Sequence, residues 1–105
     1  MTDKIVVFTT CGSEEEARKL AAILIEKQLA ACVNITAPVT SVYRWKGVVE
    51  EAREWLLIVK SRRARFDQLR AALESAHSYE LPEVLAIPVL DGSPNYLAWV
   101  DGETQ

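Results

Sequence analysis

The stretch Ser41-Val-Tyr-Arg-Trp-Lys-Gly-Val-Val-Glu-Glu51, followed by Trp55-Leu-Leu-Ile-Val59, decides how this chain folds. β-Branched and aromatic residues on both sides of Lys46-Gly47 read as two long strands joined at a turn, a hairpin from about Val39 to Lys60. Tyr43 and Trp45 fall at alternating positions and share one face. Aromatics near a hairpin tip lie beyond the core that one small domain builds. Another surface must cover them, and a second copy of the chain is the simplest candidate. The run Leu56 to Val59 is apolar throughout, which asks for burial on both faces of its strand.

Working outward, Ile5 to Thr10 is β-branched and aromatic and too short for a helix, so it reads as a buried strand. Ser13 with Glu16 forms a capping box, and Glu14 and Glu15 suit the positive end of a helix dipole. Ala17, Leu20, Ala21, Ile23 and Leu24 supply one apolar stripe on a helix from about Ser13 to Gln28. Ala30 to Ile35 has strand character, and Pro38 marks a kink or an edge. A second helix is expected from about Arg62 to Ser75, with Phe66, Leu69, Leu73 and Ala76 turned inward, ending just before His77. Glu83 to Val89 is a further strand, with Pro88 at an edge or bulge. Ser93 is placed to cap a short final helix carrying Tyr96, Leu97, Trp99 and Val100. The order β-α-β-β-α-β is the split βαβ arrangement, an α+β fold with an antiparallel sheet and two helices on one face. The other face lacks a helical cover, so the pattern predicts an oligomer.

At 105 residues the chain suggests a single domain, residues 1–105, without linker or repeat. A chain of this size buries only about 65% of its unfolded surface, which leaves one modest core. The net charge of −3 and a sequence pI near 5.2 argue against a nucleic-acid surface, which needs clustered Lys and Arg. Arg62, Arg63 and Arg65 are the one local basic cluster, read either as a solvated or interface face or as a grip on an anion or a partner carboxylate. The N-terminus lacks the features of a secretion signal, and no apolar run approaches the ~20 residues of a membrane span. Cys11 and Cys32 form neither a disulfide scaffold nor a zinc-finger spacing, so a cytoplasmic location is expected. There is no Gly-rich phosphate loop and no nucleophile elbow, and His77 is the only histidine; a non-catalytic protein is expected.

Tyr43-Arg-Trp-Lys-Gly47, Glu54 ahead of Leu56-Leu-Ile-Val-Lys60, His77-Ser-Tyr-Glu-Leu-Pro-Glu83 and Tyr96-Leu-Ala-Trp99 closely resemble the CutA family of divalent cation tolerance proteins, and Leu29-Ala-Ala-Cys-Val-Asn34 is similar too. The likeness covers nearly the whole chain in the expected order. It implies a ferredoxin-like subunit in a compact homotrimer, similar in architecture to the PII nitrogen-signalling proteins, and a role in copper and divalent-cation tolerance. It also implies a copper site built from a thiol near the end of the first strand and a histidine at the start of the His77 segment. Thr9 stands where that thiol aligns. Ala76 and His77 stand where some members pair two histidines, and Ser78 replaces a proline.

His77 is therefore the leading candidate metal ligand, with Glu83 six residues on and Cys11 as a substitute thiol. An imidazole with carboxylate oxygens suits copper, zinc or nickel, and a thiolate near a helix N-terminus would have a lowered pKa. The alternatives are a His77 that caps the second helix and a Cys11 that is an ordinary semi-buried thiol. Tyr43, Arg44, Glu54 and Lys60, with Glu83, are expected to line a cleft between subunits, either as an ion-pair network or as a pocket for a small anion or other small molecule. Tyr43, Trp45, Trp55 and Trp99 are expected at subunit contacts. Two functions stand: a trimer that binds divalent metal weakly, with copper the expected metal, through His77; or a PII-like regulatory or scaffold trimer that binds a small anion or a partner protein. No organic cofactor, nucleic acid or membrane partner is implied.

Overall fold

A computed structural model describes residues 1–105. The elements run β1 (Lys4–Cys11), α1 (Glu14–Glu26), β2 (Cys32–Ile35), β3 (Val39–Trp45), β4 (Val48–Arg62), a 3₁₀ turn (Arg63–Arg65), α2 (Phe66–Ala76), β5 (Leu85–Pro88) and α3 (Pro94–Glu103). The sheet order is β2-β4-β1-β5, with β3 also paired to β4. All of these pairings are antiparallel. This is the expected split βαβ, ferredoxin-like sheet.

β4 is the spine. Its Trp55–Arg62 half pairs with β1, and β2 then β3 run along its opposite edge. Between Ile35 and Val39, the residues Thr36, Ala37 and Pro38 lie opposite only Trp55 and Leu56, so the β2–β3 path carries a one-residue bulge. Pro38 sits in it, where no ladder donor is required. The Thr36 hydroxyl accepts from the Leu56 N–H at 3.2 Å. At the far end Lys46 (φ 50°) and Gly47 (φ 82°) make the two-residue turn. Two positive φ values twist the backbone as a tight hairpin requires.

Alternation along the strands sorts the two faces. Ile5, Val7, Leu57 and Val59 meet Ala17, Leu20 and Leu24 of α1 and Leu69 and Leu73 of α2 in one buried core. Val6, Phe8, Leu56 and Ile58 point the other way and are only half-buried. Beside them Leu85 and Ile87 of the edge strand β5 are exposed. The apolar run in β4 thus has one face sealed by helices and one left open.

Two helix ends differ from expectation. α1 stops at Glu26 and Gln28 takes φ 55°. Gln28 N–H donates to Ile25 O and Leu29 N–H to Leu24 O at 2.9 Å, a Schellman closure with a glutamine in the position glycine usually fills. β4 runs on through Arg62, so the arginine cluster spans a strand end and a 3₁₀ turn, not a helix start. The Thr104 carbonyl accepts from Arg62 Nε and Nη2 and from Arg65 Nε at 2.7–3.0 Å, which pins the end of α3. Arg63 lies over the Phe66 ring. Ser93 makes no capping hydrogen bond; Pro94 opens α3 with its preset φ.

Candidate functional site

A cleft of about 610 Å³ opens between the hairpin and residues 78–83. It exists because β1 ends opposite Trp55. Beyond that point the Val48–Glu54 part of β4 has only β3 beside it, and the segment after α2 closes part of the gap. The lining includes Thr10, Tyr43, Trp45, Glu50, Glu54, Tyr79, Glu80, Leu81 and Glu83. Register places Tyr43 opposite Glu50 and Val39 opposite Glu54, so Tyr43, Trp45, Glu50 and Glu54 share a face.

Glu54 is the floor. It is 7% exposed, and its Oε2 accepts the Tyr79 hydroxyl at 2.7 Å. Burial, together with the hydrogen bond and charge of Glu54, pushes the Tyr79 phenol far above its ordinary pKa, so it stays protonated and donates. Desolvation and the nearby Glu50 and Glu54 raise the Tyr43 phenol as well. Four carboxylates line the cleft, and neither Lys nor Arg does. Its charge suits a cation and repels an anion.

His77 holds this segment in place. Its side chain has no exposed surface. Nε2 donates to the Thr10 carbonyl at 2.7 Å, and Nδ1 accepts the Tyr79 backbone N–H at 3.1 Å. The two bonds together require the neutral ring with its proton on Nε2, and they leave no lone pair for a metal. The imidazole does not cap α2 either: the backbone N–H of His77 closes that helix on Leu73 O, while the ring reaches across to β1. Glu16 completes the brace. The Ser13 hydroxyl accepts from Glu16 N–H as in a capping box, but the Glu16 carboxylate turns away and takes the Ser78 N–H and hydroxyl, each at 2.9 Å.

The other expected metal ligands also fall apart in space or chemistry. Cys11 is fully buried in the helix-side core. Its thiol donates to Ser13 O at 3.4 Å, and burial pushes its pKa up, the opposite of the activated thiolate expected near a helix start. Thr9, aligned with the family thiol, is sealed in the same layer with a hydroxyl that has no partner. Glu83 does line the cleft, on its exposed rim. No group of three or more His, Cys, Asp or Glu side chains is arranged to hold a metal ion. The residues present do not fit a resident metal at His77 and Cys11.

Of the residues expected at a cleft between subunits, Tyr43, Glu54 and Glu83 line this one within the subunit, beside Trp45, which was expected at a subunit contact. Arg44 instead donates to Gly47 O at the turn. Lys60 lies near the other end of β4, bonded to Asn34. Trp99 is on α3 against Tyr96, their ring centroids 5.6 Å apart. Trp55 is half-buried against the helix-side core, with the Arg53 guanidinium over its ring. Tyr79, Glu50 and the Glu16–Ser78 brace were missed. Tyr79 was within reach, since it stands inside the motif His77 to Glu83.

The chain's relatives match it over nearly its whole length. The CutA1 divalent ion tolerance protein family matches residues 5–103. The divalent-cation tolerance protein CutA of Thermus thermophilus is 44% identical over 99 residues, 94% of this chain and 96% of the relative. Protein CutA of Mus musculus is 43% identical over 93% of this chain, which spans only 55% of the mouse protein's length. Among solved structures, the T. thermophilus protein superposes with a TM-score of 0.95 at 43% identity, covering 97% of this chain and 99% of that one. The periplasmic divalent cation tolerance protein CutA of Archaeoglobus fulgidus gives 0.94 at 39% identity over the same shares. Sequence and overall fold therefore agree, and the chain belongs to the CutA1 family of divalent ion tolerance proteins.

Proposed function

We propose that the chain serves divalent-cation tolerance as a non-catalytic cytoplasmic homotrimer that meets cations, copper among them, weakly at the cleft carboxylates. The observation that carries this reading is the lining: Glu50, Glu54, Glu80 and Glu83 with no basic residue among them. Exposed carboxylates attract divalent ions without the three or four convergent ligands of a tight site, so weak binding is the expected strength. His77 contributes by holding the Tyr79 segment, not by ligation. The trimer is supported by the open sheet face, where Leu85 and Ile87 are 60% and 47% exposed and continue the half-buried Val6, Phe8 and Ile58. Calorimetric titration with Cu(II) and Zn(II) tests the reading. Joint Glu50→Gln, Glu80→Gln and Glu83→Gln substitution should abolish binding, while His77→Ala should leave the affinity within about twofold; loss of binding in His77→Ala alone would sink it. Trp45→Ala should lower the mass seen by light scattering, and an unchanged mass counts against a subunit contact at that indole.

The regulatory or scaffold reading keeps one supporting feature, the exposed Val42, Val48 and Val49 of the hairpin, which suit a protein contact. The acidic lining does not favour its small anion.

A further inference from the structure

The arginines at 62, 63 and 65 are used unequally by the fold. Arg62 binds Thr104 and lies 4.0 Å from Asp101 Oδ1, and Arg63 covers the Phe66 ring. Arg65 is different. Its Nε donates to the Thr104 carbonyl at 2.8 Å and its Nη1 to Gln68 Oε1 at 2.9 Å, both neutral groups, while Nη2 makes no hydrogen bond within the chain. No carboxylate pairs with it. The guanidinium is thus held in place with its charge unanswered, which removes part of the ordering cost of gripping an oxyanion.

The surroundings of Arg65 decide the kind of anion. A groove of about 500 Å³ lies between the end of α1 and α2, lined by Arg65 and by Lys27, which also lacks a carboxylate partner. No acidic residue lines it, although the chain is acidic overall and Glu26 and Asp67 stand next in sequence to Lys27 and Gln68. Leu29, Ala71 and Ala72 supply the apolar part of the lining. Arg65 is the N-cap of α2 without a side-chain capping bond, so the partial positive charge of that helix start acts on the same end of the groove. The groove lies on the helix layer, away from the sheet face that assembly would cover, and shares no residue with the acidic cleft.

Two cations beside a small apolar floor suit an oxyanion carried on a compact apolar body. We infer that this groove binds a small organic anion, its phosphate or carboxylate group held by Arg65 and Lys27 and its apolar part lying on Leu29, Ala71 and Ala72. A small anion, which the acidic cleft repels, is thus accepted on the opposite layer.

Phenyl phosphate and benzoate, titrated separately into the isotope-labelled full chain at physiological ionic strength and followed by amide NMR shifts, test this, with inorganic phosphate as the control. Saturable shifts are expected at residues 27–29 and 65–75 for at least one of the two, and the tighter names the group that the site prefers. Inorganic phosphate, which has no apolar part, should bind at least about threefold more weakly than phenyl phosphate. Arg65→Gln should weaken binding about tenfold, and Lys27→Gln, at an exposed position, about threefold. Ala71→Leu fills the floor without changing a charge and should abolish saturable binding. Absence of saturation with both probes, inorganic phosphate binding as tightly as phenyl phosphate, or an unchanged affinity in Lys27→Gln or in Ala71→Leu overturns the inference. These last two variants decide the matter even where Arg65→Gln unsettles the end of α3.

Discussion

The two halves of β4 are one continuous strand with opposite fates. From Trp55 to Arg62 it pairs with β1, and over Leu57–Lys60 with β2 on the other edge as well, and Leu57 and Val59 are sealed under the two helices. From Val48 to Glu54 it has only β3, and Val48 and Val49 stand 58% and 60% exposed. The first half holds the subunit together. The second offers side chains to whatever lies outside it, and the only buried side chain there is the carboxylate of Glu54. A strand long enough to leave its own core creates a site where the neighbouring strand runs out.

Leu57→Ala gives the sharpest measure of that contrast. It should cost about 2–5 kcal/mol in denaturant unfolding, while Val49→Ala should stay within about 0.5 kcal/mol. Similar costs at the two positions would mean that the hairpin tip is as firmly packed as the core. Thr9→Val comes next: it removes the partnerless buried hydroxyl with little change of shape and should stabilise by about 1–2 kcal/mol, a gain expected only on the sealed half.

Alkaline pH probes both regions. The Cys11 thiol and the Tyr79 phenol are raised in the fold above their ordinary values of 9.0 and 10.0. Each is protonated when folded at a pH where the unfolded chain has begun to lose its proton, so unfolding releases protons and stability falls as pH rises. The contribution is whole below about pH 9 and declines above it, by at most about 1.4 kcal/mol per pH unit for each group. Cys11→Ala should flatten the first part of the descent and Tyr79→Phe the later part, read from chemical denaturation at stepped pH. The smallest effect lies far from the cleft. Gln28→Gly relieves the positive φ at the end of α1 and should add about 0.4–1 kcal/mol, with no change in the hairpin.

Much of this architecture is legible in the sequence. Alternation and the Lys46-Gly47 turn placed the hairpin, helical spacing placed α1 and α2, and Pro38 and Pro88 marked places where the ladder is interrupted or ends, because these signals act between residues close in sequence. The cleft was half legible. Tyr43, Glu54 and Glu83, named for a cleft between subunits, line one within a single subunit, while Arg44 and Lys60 lie outside it, since residues equally polar on paper are sorted only by register and by where each strand ends. His77 shows the limit most clearly. A lone histidine among carboxylates reads as a metal ligand, and only the fold reveals that Thr10 and Tyr79 already occupy both nitrogens.

The amino-acid order alone determined the elements, their antiparallel order, the open apolar face and the kinship with the CutA1 family, because periodicity, turn chemistry and motif spacing are local properties of the chain. The tertiary structure alone decided that Cys11 is a protonated core thiol, that Glu16 leaves its capping box for Ser78, and that Glu54 is buried with its carboxylate on the Tyr79 hydroxyl. Each of these depends on which distant backbone arrives beside the side chain, and burial and hydrogen bonding across such distances set charge and reactivity.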